Sequence, residues 1–360
     1  SSRMLRRQLL NAALIAVSLF ITLAVWEIGL RLHDGISLLK LTNFIGDRAD
    51  RSKHDGTMIY DERLGWRLKP DLRNSAFDTG PYGIRLVNTA TGTVPTGGIL
   101  ASGDSFTFGS DVGDAEAWPA YLETIIGTPV VNAATPGWGA DQIVMHAEDM
   151  IAIARPRTLI VDFLWYDIGR AEEELLFGAH KPYYTVEDNR LVLHNVPVPR
   201  FDGRVSEIGP IRGIVGYSYA VYWAAQQLGF DQWVESADKR ATPGGTGQRI
   251  TCQLLKRLKA RTEADRIRLM MVMQYGAGDF DRPQPSAAAA VVSCAREMGI
   301  ETVDIWSRLA EIHAKDPARF RALFLVQRTG WSHMSAAGNQ LVAASIADRL
   351  QATGAGALSH

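Results

Sequence analysis

Apolar positions along the chain fall into two regimes. Between residues 9 and 26 they run almost unbroken, interrupted only by Asn11, Ser18 and Thr22. From residue 98 onward, short apolar runs at 98–102, 129–132, 158–165, 268–274 and 301–305 alternate with stretches of helical period at 117–126, 142–154 and 335–350. Near-continuous apolar strands separated by helices predict an α/β fold with a five-stranded parallel sheet covered on both faces. An insertion at 171–245 separates the third and fourth strands. It carries a predicted hairpin turning at Asp188-Asn189 and an aromatic-rich helix over 217–228. Insertions at strand ends of such sheets commonly shape the ligand cleft.

The first apolar run has the length of a membrane span. Its eighteen residues rise about 27 Å as a helix, against roughly 30 Å for a bilayer core. Arg3, Arg6 and Arg7 precede it, Glu27 and Arg31 close it, and Trp26 holds the interfacial position. A cleaved signal peptide would be shorter and end on small residues, which Ala24-Val25-Trp26 does not provide; a core helix would show a polar face. The expectation is an uncleaved single-pass anchor, residues 1–32, in the inner (plasma) membrane. Residues 9–26 then have the lipid bilayer as partner, and the main domain is periplasmic or extracellular. Residues 33–95 read as a stalk and a small β-rich lead-in, and 96–355 as the α/β domain.

Composition narrows the partners. A formal net charge of -1, with no basic run after the N-terminus, excludes a nucleic-acid surface. Cys252 and Cys294 lack metal-site spacing and both fall in helical patterns. Buried free thiols are expected, with a single disulfide as the alternative in an oxidising compartment. The histidines are scattered, and Pro243-Gly244-Gly245-Thr246-Gly247 lacks the Lys-Ser/Thr ending of a phosphate loop. No metal or cofactor is implied.

Two segments carry chemistry. The first predicted strand ends at Gly103-Asp104-Ser105 ahead of a helix, a way to expose a nucleophilic hydroxyl above a sheet. A serine nucleophile needs a base, and His333, in Gly330-Trp331-Ser332-His333 just before the closing helix, falls on the same sheet edge. Each taken alone also reads as a turn or helix-capping residue, with Ser335 as N-cap of the closing helix.

Together these segments resemble the SGNH (GDSL-type) hydrolases, in the membrane-anchored form. Gly103-Asp104-Ser105-Phe106 through Gly109 is similar to the family's first block. Val131-Asn132-Ala133-Ala134-Thr135-Pro136-Gly137 is similar to the second, and Ser332-His333-Met334-Ser335 with Gly338 to the last. The resemblance implies a flavodoxin-like three-layer α/β/α sandwich, with Ser105 as nucleophile and His333 as base. The oxyanion hole would be built from the Ser105 and Gly137 N–H groups. O-acyl groups on cell-surface glycan, or lipid esters, are the substrate class it implies, with hydrolysis or acyl transfer as the reaction.

Two family positions differ. Tyr166 stands where the third block carries an oxyanion-hole Asn; as a third oxyanion-hole residue its phenol could donate one hydrogen bond, but it reaches several ångströms further than an amide. Gly330 and Trp331 stand where the acid behind the histidine is expected. Asp104, Asp167, Asp304 and the backbone carbonyls near Trp331 are the substitutes the sequence offers; a Ser105–His333 dyad is the fallback. These departures support a second reading, a catalytically degenerate SGNH fold serving as an accessory or assembly subunit of a membrane protein complex.

Overall fold

The computed structural model describes residues 2–45, 56–88, 92–176, 179–200, 209–228, 230, 239–241, 245–325 and 333–356. They form two compact units, one from residues within 1–54, 175–179 and 200–240, the other from residues within 55–174, 180–199 and 241–360.

The larger unit opens with an antiparallel hairpin, β1 (Met58–Asp61) and β2 (Gly65–Leu68). Its core is a five-stranded parallel sheet of β3 (Ile99–Gly103), β4 (Val130–Asn132), β5 (Thr158–Leu164), β8 (Arg268–Gln274) and β9 (Glu301–Asp304), in spatial order β9-β8-β5-β3-β4. Between β5 and β8 lies the exposed hairpin β6 (Tyr183–Glu187) and β7 (Arg190–His194), turning at Asp188 and Asn189, both at positive φ. Its helices include α1 (Ser105–Phe108), α2 (Trp118–Ile126), α3 (Ala140–Ala154), α4 (Gly247–Ala264), α5 (Ser286–Glu297), α6 (Trp306–Lys315) and α7 (Ala336–Gly356). α2 packs with α7, while α3, α4 and α5 pack side by side, giving the α/β/α sandwich that the strand pattern predicts.

The strands are apolar because both faces are covered: every residue of β3 and β4 is buried, as are residues 159–164 of β5. From β3 the chain goes to β4 on one side and then to β5 on the other. The topological switch therefore falls at the carboxyl end of β3, where such sheets open a crevice. Ser105 is the second residue past that end.

The expected free thiols are corrected. Cys252 on α4 and Cys294 on α5 form a disulfide, with Cα atoms 6.2 Å apart. Residues 252 and 294 lie on facing sides of adjacent helices, a relation that sequence separation hides.

In the smaller unit, the helix Ser2–His33 contains a stretch, Arg6–His33, long and apolar enough to cross a membrane and unburied over its apolar part. It packs with the helix Tyr219–Gln227, which lies within the predicted aromatic helix.

Candidate active site

β3 delivers the chain into α1 through Asp104, whose Oδ1 accepts the Phe106 N–H at 2.8 Å and caps the helix. Gly103 is required here because a Cβ would collide with the Thr107 side chain. Thr107 in turn donates to Asp162 Oδ2 at 2.6 Å, and the same oxygen accepts from Trp118 Nε1 at 3.0 Å and Gln274 Nε2 at 2.6 Å. One buried carboxyl group thus ties the Ser105 turn to β5, β8 and α2. Burial pushes Asp162 up to about 7; it also raises Asp104, which sits near the Arg170 guanidinium (3.7 Å), and Asp167.

His333 reaches this turn from the far end of the chain. Phe324 and Met334 form an antiparallel bridge, the Leu325 N–H donates to His333 O at 2.9 Å, and Ser335 N–H to Leu323 O at 2.9 Å. Ser335 Oγ accepts the Gly338 N–H at 3.3 Å, as an N-cap would. The imidazole stands edge-on to Phe106, with ring centroids 5.5 Å apart. Its Nε2 is 3.1 Å from Ser105 Oγ, closer than Asp104 Oδ2 at 3.4 Å.

The imidazole also has a carboxylate. His333 Nδ1 lies 2.7 Å from Asp111 Oδ2. None of the three aspartates offered by the sequence takes this place. Asp104 caps α1, Asp167 accepts from the Leu164 N–H and Arg170, and Asp304 accepts from Tyr275, Gln284 and the Trp306 N–H. Gly330, Trp331 and Ser332 lie outside the described residues. Asp111 follows α1 in a tight turn at φ +69°, a left-handed conformation uncommon for a residue with a side chain.

Arg85, from the lead-in, holds that turn. Its side chain is almost wholly buried and donates to Phe108 O at 2.7 Å, Gly109 O at 2.5 Å, Val112 O at 2.6 Å and Asp114 Oδ1 at 2.8 Å. Asn132 Nδ2 adds bonds to Thr107 O and Phe108 O. A planar guanidinium can span such a ring of acceptors where an ammonium cannot. Sequence reasoning missed Asp111 and Arg85, since an Asp in a turn and an Arg in a Gly/Pro-rich lead-in carry no distinguishing pattern.

The loop after β4 carries Gly137 at φ +82°. Among the described residues no hydrogen bond occupies the Gly137 N–H or the Ser105 N–H. Its flanking residues are fixed by the lead-in hairpin: Trp66 Nε1 donates to Pro136 O at 3.3 Å and Trp138 Nε1 to Trp66 O at 3.0 Å. Gln142 Nε2 donates to Leu64 O at 2.7 Å. Arg170 Nη1 donates to Trp138 O at 3.1 Å and to Asp167 Oδ1 at 2.6 Å, bringing a guanidinium beside this loop. Tyr166 is engaged elsewhere, its hydroxyl donating to Asp279 Oδ1 at 3.3 Å beside Trp165, which donates to Asp279 Oδ2 at 2.8 Å.

No family model and no curated protein matches the chain. Among solved structures, it is similar to a putative lipolytic protein of the G-D-S-L family from Desulfitobacterium hafniense DCB-2, at 14% identity over 70% of this chain and 98% of that one, TM-score 0.38. It is also similar to a lipase/acylhydrolase from Enterococcus faecalis, at 12% identity over 72% and 97%, TM-score 0.41. A third is the acetyl xylan esterase AlAXEase, at 11% identity over 69% and 96%, TM-score 0.39.

Proposed function

We propose that the protein is a membrane-anchored serine esterase or O-acyl transferase working through a Ser105–His333–Asp111 triad. The observation that carries this reading is the continuous chain of contacts from Ser105 Oγ to His333 Nε2 and from His333 Nδ1 to Asp111 Oδ2. Ser105 Oγ attacks an acyl carbonyl while its proton passes to Nε2. Asp111 holds the imidazole in the tautomer with Nδ1 protonated and stabilises the imidazolium that forms. The carbonyl oxygen becomes an oxyanion accepting from the Ser105 and Gly137 N–H groups, with the Arg170 charge nearby. Collapse expels the alcohol, which takes the proton from Nε2 and leaves acyl-Ser105. Water or a second hydroxyl then attacks, giving hydrolysis or transfer.

The apolar N-terminal helix supports the anchor. A disulfide on the main domain fits the oxidising side of a membrane. Acylated cell-surface glycan or lipid is the substrate class this placement favours.

Labelling with a serine-directed fluorophosphonate, alongside turnover of p-nitrophenyl acetate, tests the proposal. Labelling of the wild type and none of Ser105→Ala is expected. A wild type that neither labels nor turns over the ester overturns it. That outcome would favour the accessory-subunit reading, which the engagement of Tyr166 by Asp279 now supports by itself.

A further inference from the structure

Beside the anchor helix lies an apolar groove of about 680 Å³, a size that holds a small ligand. One wall is Leu23 and Trp26 of the anchor; the other is the helix Tyr219–Gln227 with the residues that follow it. Val221, Ala224, Ala225 and Leu228 recur at the spacing of one helical face, and Ser218 is the lone polar residue of the lining. At its mouth Val221, Leu228 and Phe230 are exposed, and Ile211 and Ile214 of the preceding helix Pro210–Val215 are 66% and 73% exposed.

The two helices are joined by polar groups at the point where the apolar run ends. Glu27 accepts from Ser218 Oγ at 2.8 Å, Tyr219 N–H at 2.9 Å and Ala220 N–H at 2.8 Å, covering the start of the second helix. Arg31 donates to Glu27 at 2.5 Å, Lys40 O at 2.9 Å and Tyr217 O at 3.3 Å. Both charges are spent on backbone and each other. Trp26 and Trp223 meet edge to face just within this clasp, centroids 6.1 Å apart. The groove is therefore continuous with the apolar span on one side and closed by the clasp on the other.

Given the anchor reading, on which this step rests, we infer that the groove is a lipid site. It takes an acyl chain of a bilayer phospholipid, and the segment 209–228 is a second, interfacial membrane element. The continuity of its wall with the span selects lipid: hydrocarbon that bathes Leu14 and Leu19, 59% and 59% exposed, meets Leu23 and Trp26 with only Thr22 between, its hydroxyl turned back to Ser18 O at 2.9 Å. A shallow amphipathic segment with aromatic residues beside a span matches the interfacial zone.

The test uses the full chain in phosphatidylethanolamine/phosphatidylglycerol nanodiscs, with a benzophenone amino acid placed singly at Leu14, Val221, Leu228 or Gln227 and adducts read by mass spectrometry. Phospholipid adducts at Leu14, Val221 and Leu228, at least tenfold over Gln227, are expected. Lipid at Leu14 with none, or protein adducts only, at Val221 and Leu228 would overturn the groove and leave the anchor standing. Equal lipid capture at Gln227 would also overturn it. Absence of lipid at Leu14 would remove the anchor and the inference with it.

Discussion

Asp111 Oδ2 lies 2.7 Å from His333 Nδ1, on the ring nitrogen opposite the one facing Ser105, across 222 residues of sequence. If this contact sets the tautomer, Asp111→Asn lowers kcat/KM for p-nitrophenyl acetate by about 10²- to 10⁴-fold. Fluorophosphonate labelling slows in parallel. Half of the Asp111 side chain is exposed, which favours the lower part of that range. An unchanged rate would take Asp111 out of the mechanism.

Arg85 is a positioning residue for the same turn. Arg85→Lys keeps a charge but cannot reach all four acceptors, so the protein loses about 3 kcal/mol of stability by denaturant titration. At temperatures where it stays folded, kcat falls with little change in KM. In combination with Asp111→Asn the loss is smaller than the product of the two, because both act on one contact. Independent, multiplying losses would mean that Arg85 does not act through that contact, and an unchanged kcat would place it in stability alone.

Tyr166 offers a two-way check on the oxyanion hole. Tyr166→Phe removes the bond to Asp279 and leaves kcat/KM within about twofold. Tyr166→Asn supplies a short amide at the family position and raises kcat/KM, by at most about a hundredfold. A strong loss in Tyr166→Phe would give the phenol the catalytic part that its contact with Asp279 denies it.

Asp162 and His146 make stability depend on pH in opposite senses. The folded protein holds Asp162 at about 7 through burial, above the roughly 3.9 of an unfolded chain. The native state therefore binds the extra proton between those values, and stability falls as pH rises through that window. Burial holds His146 at about 4, so the unfolded state binds the extra proton between about 4 and 6.5 and stability rises there with pH. Taking the difference between Asp162→Asn and wild type isolates the first group. That difference in Tm should shift in favour of the variant by roughly 5 °C from pH 4.5 to pH 8; a flat difference would mean Asp162 is ionised throughout.

The Cys252–Cys294 bridge closes a loop of 42 residues, for which the chain-entropy model gives about 4 kcal/mol. Replacing both cysteines by serine should lower stability by up to that amount. It should also make the protein insensitive to dithiothreitol, with Tm of the oxidised and reduced wild type differing and that of the variant not.

Four strands of the sheet were legible because they are buried on both faces and so lack the alternation that would confuse them with surface strands. All five lie within a residue of the apolar runs. Ser105 and His333 were legible as ends of elements, where sheet topology forces proximity. What escaped was whatever depends on a side chain crossing between loops. Asp111 looks like any turn residue until Arg85, from the lead-in, is seen to hold the backbone around it. The cysteines failed for a related reason: pairing depends on which faces of α4 and α5 meet, and helical period alone leaves that open.

Six positions separate Ser105 from Asp111, so in the proposed mechanism nucleophile and acid travel together on α1 and the turn that follows it. The segment before the histidine is then relieved of supplying a carboxylate and has to deliver only an imidazole. Gly330 and Trp331 then need not carry a carboxylate for the imidazole to have one. A chain sorted by the acid expected just before its histidine would be filed among the inactive, although under the proposed mechanism it carries the three groups in the same chain order, with the acid moved beside the serine.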